Sequence, residues 1–162
     1  EERKKKVDFT QKYQHIPARF AAKKGTDVQL DKAFMEGKSV AVQRATSMDT
    51  FITDNFPNAT IKRYGTADEA YLDLKSGRVD YVLADSAAIT DGLLKKEGGD
   101  AFEFVGPKLT DPKWFGEGAG IAVRKADKDL KEKFNAAILA LRANGKYKEI
   151  NDKYFEFDVY GE

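Results

Sequence analysis

Between residues 39 and 106 the chain alternates four short apolar runs with three segments of helical period. The runs are "SVAVQ", "ATIKRY", "VDYVLAD" and "AFEFVG". The segments between them are "SMDTFITDNF", "TADEAYLDLKSG" and "SAAITDGLLKKEGG". Two strands joined through a helix cannot form a tight hairpin, so this order predicts a mostly parallel sheet with helices on its faces. Such sheets bind ligands beyond the carboxyl ends of their strands, against helix N-termini.

Local signals set the element ends. Gly37 follows "LDKAFME", which reads as a helix stopped at a glycine. Pro57 ends the helix that begins near Ser47. Thr66 with Glu69 three residues on reads as a capping box. Outside the alternation, residues 6–9 and 19–23 read as short strands, and "AGIAVRK" as another. Two helices close the chain, over residues 127–143 and 146–155, parted by Asn144-Gly145. From Pro107 the chain reads as irregular through "KLTDPKWFGEG". This stretch and "YQHIPA" each carry a proline and no period, so both read as crossings between two lobes.

Composition removes several classes of function. Lys and Arg number 28 against 27 Asp and Glu, a balance that gives no support for a nucleic-acid partner. With no cysteine, thiol chemistry and disulfides are excluded; with one histidine a zinc centre would need several carboxylates and is disfavoured, and no cofactor is expected. No apolar run approaches membrane-spanning length. "EGKSV" lacks the upstream glycine of a phosphate loop, since Lys32 stands at that position. "GEGAG" precedes a strand, whereas a dinucleotide fingerprint follows one. His15 reads as a crossing residue, and Trp114 with Phe115 as packing at the second crossing.

Two turns carry candidate chemistry. After "SVAVQ" the chain breaks into Arg44-Ala45-Thr46-Ser47 and then a helix. A helix N-terminus offers unpaired N–H groups and partial positive charge, which suits a carboxylate or phosphate. The same residues would equally serve as an ordinary N-cap. At the end of "YVLAD", Asp85 stands where a ligand ammonium would be met, or where it would cap the next helix.

Taken in order, "EERKKKVDFT", "PARFAAKKG", "GKSVAVQRATSMDTF", "LDLKSGRVDYVLADSAAITDGLL", "FEFVGP", "WFGEGAGIAVRKADKDLKEKFNAAI", "LRANGKYKEINDKYF" and "FDVYG" resemble the type II periplasmic binding proteins of amino-acid ABC transporters. The likeness is to the lysine/arginine/ornithine- and histidine-binding branch. It implies an α/β fold of the periplasmic-binding-protein type II (Venus flytrap) class, non-enzymatic and periplasmic. Its task is capture of a polar, basic L-amino acid for a membrane permease.

The resemblance also assigns roles. Arg3 would clamp the ligand α-carboxylate through its planar fork. Thr46 and Ser47 would donate to the same group, and Asp85 would take the α-ammonium. Gln43 and Met48 stand where many relatives carry a leucine and a glutamine beside the ligand side chain. Hinges fall near Gln14, His15 and Ala18, and from Thr110 to Gly118.

In family terms, residues 19–109 are a complete lobe two. Residues 15–18 and 110–117 are hinges, and residues 1–14 and 118–162 are a remnant of lobe one. Such a remnant implies one of three states: a second chain completing lobe one, two copies exchanging elements, or a different packing. The same scaffold also carries cyclohexadienyl dehydratases, so an enzyme is one rival reading. A ligand-free interaction fragment is the other.

Overall fold

The fold is described from a computed structural model, over residues 3–161. The chain divides into two compact units: Pro17–Gly116 forms one, and the segments on either side of it form the other. The strands in chain order are β1 (Val7–Gln14), β2 (Ala18–Lys23), β3 (Ser39–Gln43), β4 (Thr60–Tyr64), β5 (Tyr81–Asp85), β6 (Phe102–Leu109) and β7 (Ala119–Arg124). The helices are α1 (Lys32–Met35), α2 (Ser47–Asn55), α3 (Ala67–Lys75), α4 (Ser86–Ile89), α5 (Pro112–Phe115), α6 (Lys128–Ala143) and α7 (Lys146–Tyr154).

The Pro17–Gly116 unit is built on a five-stranded sheet of order β4-β3-β5-β2-β6. Side chains alternate across a strand, so each central strand feeds two cores. Val40 and Val42 of β3, Tyr81 and Leu83 of β5, and Phe20 and Ala22 of β2 enter one. Ala41, Val82 and Ala21 enter the other. The first core is closed by Met48, Phe51 and Ile52, the i, i+3, i+4 stripe of α2, together with Met35. The second is closed by Ala70, Tyr71 and Leu74 of α3 and by Ile89 and Leu93. Phe51 also meets the rings of Trp114 and Phe115, so these two aromatics pack on the first core.

Several expectations change here. The sheet is mostly parallel, as expected, with β3, β4, β5 and β6 running one way, but β2 is antiparallel to both its neighbours, β5 and β6. The helix expected over "LDKAFMEGK" is one turn, Lys32–Met35, capped by Asp31. The helix expected after Asp85 is α4 followed by a π turn, Thr90–Leu94. Pro107 does not begin an irregular stretch; it lies within β6, which runs to Leu109. A proline is tolerated there because β6 is an edge strand and needs no N–H at that position. The register slips between Ala18 and Phe20, and Gly106 at the slip has φ +67°, the conformation glycine supplies most easily. The segment after β6 holds α5, with Asp111 capping the Lys113 amide.

The other unit holds β1 and β7 as an antiparallel pair, with α6 and α7. The strand expected over residues 6–9 extends to Gln14, because Lys12 and Gln14 pair across an irregular register with Gly120 and Ala119. Asn135 of α6 accepts the Gln11 N–H at 2.8 Å, and its carbonyl accepts from the Gln11 side chain at 2.7 Å. Asn151 is buried and pins the tail: it donates to the Phe157 carbonyl at 2.9 Å and accepts the Val159 N–H at 3.0 Å. Among the described residues no helix is long and apolar enough to cross a membrane.

Candidate functional site

In the Pro17–Gly116 unit, a depression of about 70 Å³ opens at the carboxyl ends of β3 and β5. Gln43, the last residue of β3, and Asp85, the last of β5, both line it. Thr46 and Met48, at the start of α2, add to the wall, and Ala67, Ala70, Ala84 and Ala88 give it a largely apolar lining. Thus the structure brings Gln43, Thr46, Met48 and Asp85 together. Ser47 opens α2 beside them.

The two candidate turns differ in how their polar groups are used. Thr46 is the N-cap of α2: its oxygen accepts the Asp49 N–H at 3.3 Å, and its hydroxyl donates to the Gln43 carbonyl at 2.8 Å. Its proton is therefore spent within the turn. Ser47 is exposed, and its hydroxyl meets only the Met48 sulfur, at 3.2 Å, a weak acceptor. The helix start still offers backbone amides, since first-turn N–H groups have no acceptor within the helix.

Asp85 stands at the N-cap position of α4 but makes no capping hydrogen bond. Its carboxylate keeps contact with solvent at the rim, yet protein surrounds it closely enough that desolvation raises its pKa. A carboxylate that is partly desolvated and not used by its own helix is suited to a ligand cation. Its strand neighbour Ala18 lies in register with Asp85 on one side and with Leu109 on the other. The next residue, Ser86, donates its N–H to the Pro17 carbonyl at 3.0 Å. Tyr71, buried behind, has its pKa pushed up to about 12 by burial first, then by the charges of Asp68 and Asp85.

The remaining candidates lie elsewhere. Arg3 opens a short 3-10 turn, Arg3–Lys5, and its side chain falls outside the described residues. Gln14 ends β1, and His15 donates its N–H to the Val159 carbonyl at 2.6 Å. Thr110 follows β6. Gly118 has φ +123°, and a Cβ there would fall 2.5 Å from the Gln14 carbonyl, so only glycine fits. Among the described residues no cluster of His, Asp or Glu could hold a metal ion.

The family model for bacterial extracellular solute-binding proteins, family 3, matches residues 1–157. The chain belongs to this family. A family-3 protein described as an L-arginine-binding protein, from Pseudomonas aeruginosa (strain ATCC 15692 and synonyms), is 53% identical over 163 aligned positions. That match takes in 99% of this chain and 63% of the relative. A histidine-binding periplasmic protein of Salmonella typhimurium is 37% identical with the same coverage. Among solved structures, an ancestral arginine-binding protein bound to arginine superposes with TM-score 0.77 at 33% identity. It covers 96% of this chain and 67% of the ancestral one, and the fold is the type II periplasmic-binding-protein fold. The chain spans about 63% of the length of the curated relatives cited here.

Three residues around the candidate site escaped the sequence reading. Ala45 is the one non-glycine residue with positive φ, at 60°, among the described residues. Asp49 and Arg63 form an ion pair at 2.7 Å beside it. Asp49 at the third position of α2 was a readable signal, since acids favour first turns. Arg63 was one basic residue among 28 and carried no local mark.

Proposed function

We propose that this chain is the amino-acid-capturing part of a family-3 solute-binding protein, and that it takes a basic L-amino acid, L-arginine first. The α-carboxylate docks at the start of α2, on the amides there and on Ser47, with Arg3 as the clamp. The α-ammonium docks on Asp85, and Gln43 and Met48 face the side chain. One observation carries this reading: an uncommitted carboxylate and the N-terminus of a nine-residue helix meet at one depression on the strand ends. Zwitterion recognition needs those two charges at one site. The arginine-binding relative at 53% identity supports the choice of ligand.

The segments Gln14–Ala18 and Thr110–Gly118 act as hinges, with residues 19–109 as lobe two and residues 1–14 and 118–162 as part of lobe one. The division of the chain at 16–17 and 116–117 supports this. The protein works in the periplasm without catalysis and hands its ligand to the permease of an ABC transporter. Lobe one is completed by a second chain or by exchange between two copies, or its remnant packs differently from the family.

Calorimetric titration with L-arginine, L-lysine, L-ornithine, L-histidine and L-glutamine tests the reading. The expected result is strongest heat with L-arginine, abolished in Asp85→Ala. Absence of heat with all five would sink the claim that this chain is itself a receptor.

A further inference from the structure

Ala45 holds a backbone conformation that costs an L-residue energy, and it does so directly before the turn assigned to the ligand carboxylate. Something must hold it there. Its N–H donates to Asp49 Oδ2 at 3.2 Å. The other oxygen, Oδ1, receives Arg63 Nε at 2.7 Å. Arg63 Nη2 then donates to the Thr53 hydroxyl at 2.8 Å, and that hydroxyl donates to the Asp49 carbonyl at 2.6 Å. Arg63 reaches from β4, so an adjacent strand braces the first turns of α2 through both the side chain and the backbone of Asp49.

Asp49 also poses an electrostatic problem. Only 14% of its side chain is exposed, and its negative charge sits at the helix end that a ligand carboxylate would approach. Arg63 is the cation paired with it. Left alone, Asp49 would repel the ligand anion and compete for the same positive helix end.

We propose that Arg63 is a positioning residue for the carboxylate end of the site, acting through Asp49 to hold Ala45 left-handed and to neutralise the charge beside it. The inference rests on the ligand reading above and adds a residue that touches no ligand. It explains why an alanine is tolerated where glycine would be easier. The Ala45 N–H bond to Asp49, with Asp49 held in turn by Arg63, fixes φ at Ala45 from outside the residue.

The test uses backbone NMR and titration of the whole chain with L-arginine and with L-arginine amide, which lacks the carboxylate. Wild type is compared with Arg63→Ala, Arg63→Lys and the double variant Arg63→Ala/Ala45→Gly. Dispersion of the remaining resonances reports folding. In Arg63→Ala the Ala45 carbon shifts should leave the left-handed range. Affinity for L-arginine should fall about tenfold (about 1.4 kcal/mol), with little change for the amide. Arg63→Lys keeps the charge without the fork and should fall between. Ala45→Gly added to Arg63→Ala should recover much of the loss, a rescue that general destabilisation would not allow.

Ala45 remaining left-handed in Arg63→Ala overturns the positioning role, as does an equal loss for acid and amide. If wild type shows the left-handed signature but no arginine-dependent shift at Ser47 and Met48, the ligand reading fails. The Ala45 shifts then decide the present inference by themselves.

Discussion

The two units of this chain are held together in different ways. Pro17–Gly116 has a sheet covered on both faces, and its central side chains, such as Phe20, Val40, Met35 and Ile52, are fully buried. In the flanking unit, among the described residues, the buried apolar side chains are Val123, Ile138 and Val159, while Leu130, Leu139, Leu141 and Ile150 are exposed. Its cohesion depends visibly on polar pins: Asn135 on Gln11, Asn151 on the tail, and the Tyr147 hydroxyl on the Tyr13 carbonyl at 2.6 Å. A sheet with two covered faces supplies hydrophobic stabilisation in proportion to buried area; a two-stranded ribbon with one helical layer cannot. The depression lined by Gln43, Thr46, Met48 and Asp85 belongs to the unit with the stronger core.

That contrast can be broken by mutation. Phe20→Ala should have the largest effect, lowering the stability of the Pro17–Gly116 unit by about 3–5 kcal/mol. Ile138→Ala, in the thinner unit, should cost clearly less and leave hydrogen exchange at β3 and β5 unchanged. Equal losses in urea denaturation would erase the distinction. Next in size is Asn151→Leu, which strands the Phe157 carbonyl and the Val159 amide and should cost about 2–3 kcal/mol. Exchange should accelerate at Val159 and His15 and not in the sheet. A change confined to neither region would argue against a separable tail pin.

The smallest expected effect sharpens the comparison from the site's side. The pKa of Asp85 is raised by desolvation, so the protonated form is favoured more in the folded protein than in the unfolded chain. For a group raised in the folded state, the stabilisation is full below the unfolded pKa and is lost as pH rises through the folded one. At neutral pH the ionised Asp85 therefore costs stability, and Asp85→Asn should raise Tm slightly while abolishing ligand binding. Ligand affinity runs the opposite way, because an ammonium needs the carboxylate. Affinity of wild type for L-arginine should hold at neutral pH and fall as the pH drops through the raised pKa. A pH-independent affinity across the acid range would remove Asp85 from the site.

The legible part of the fold was the part written in local chemistry. Val40, Ala41 and Val42 of "SVAVQ" are buried, α2 starts at the capped turn, and Thr66 with Glu69 forms the reciprocal capping box. What failed depended on neighbours. The direction of β2 is set by its partners, β5 and β6, and no residue in "ARFAAK" encodes it. Strand β1 outran its apolar run because β7 offered pairing groups beyond it. Pro107 signalled a break, and the edge position of β6 cancelled the signal. At the site, residue types at strand ends could be read, but the Arg63–Asp49 brace could not. It joins side chains 14 residues apart, and neither is unusual in a chain so rich in charge.

The four alanines around the depression bear on how such a site changes over generations. Ala67, Ala70, Ala84 and Ala88 contribute a methyl each, and none makes a hydrogen bond that another residue would break. A single-base exchange at Ala67, Ala84 or Ala88 to serine, valine or threonine alters the room or polarity of the floor while the strand ends stay in place. On the proposed reading the charged elements would fix the part common to every amino acid, and Ala67, Ala84 and Ala88, which are not fully buried, would be the easier positions to replace. If the proposed ligand reading holds, a lineage could drift from one ligand to another by small steps at Ala67, Ala84 and Ala88, whereas enlargement at buried Ala70 would strain the core.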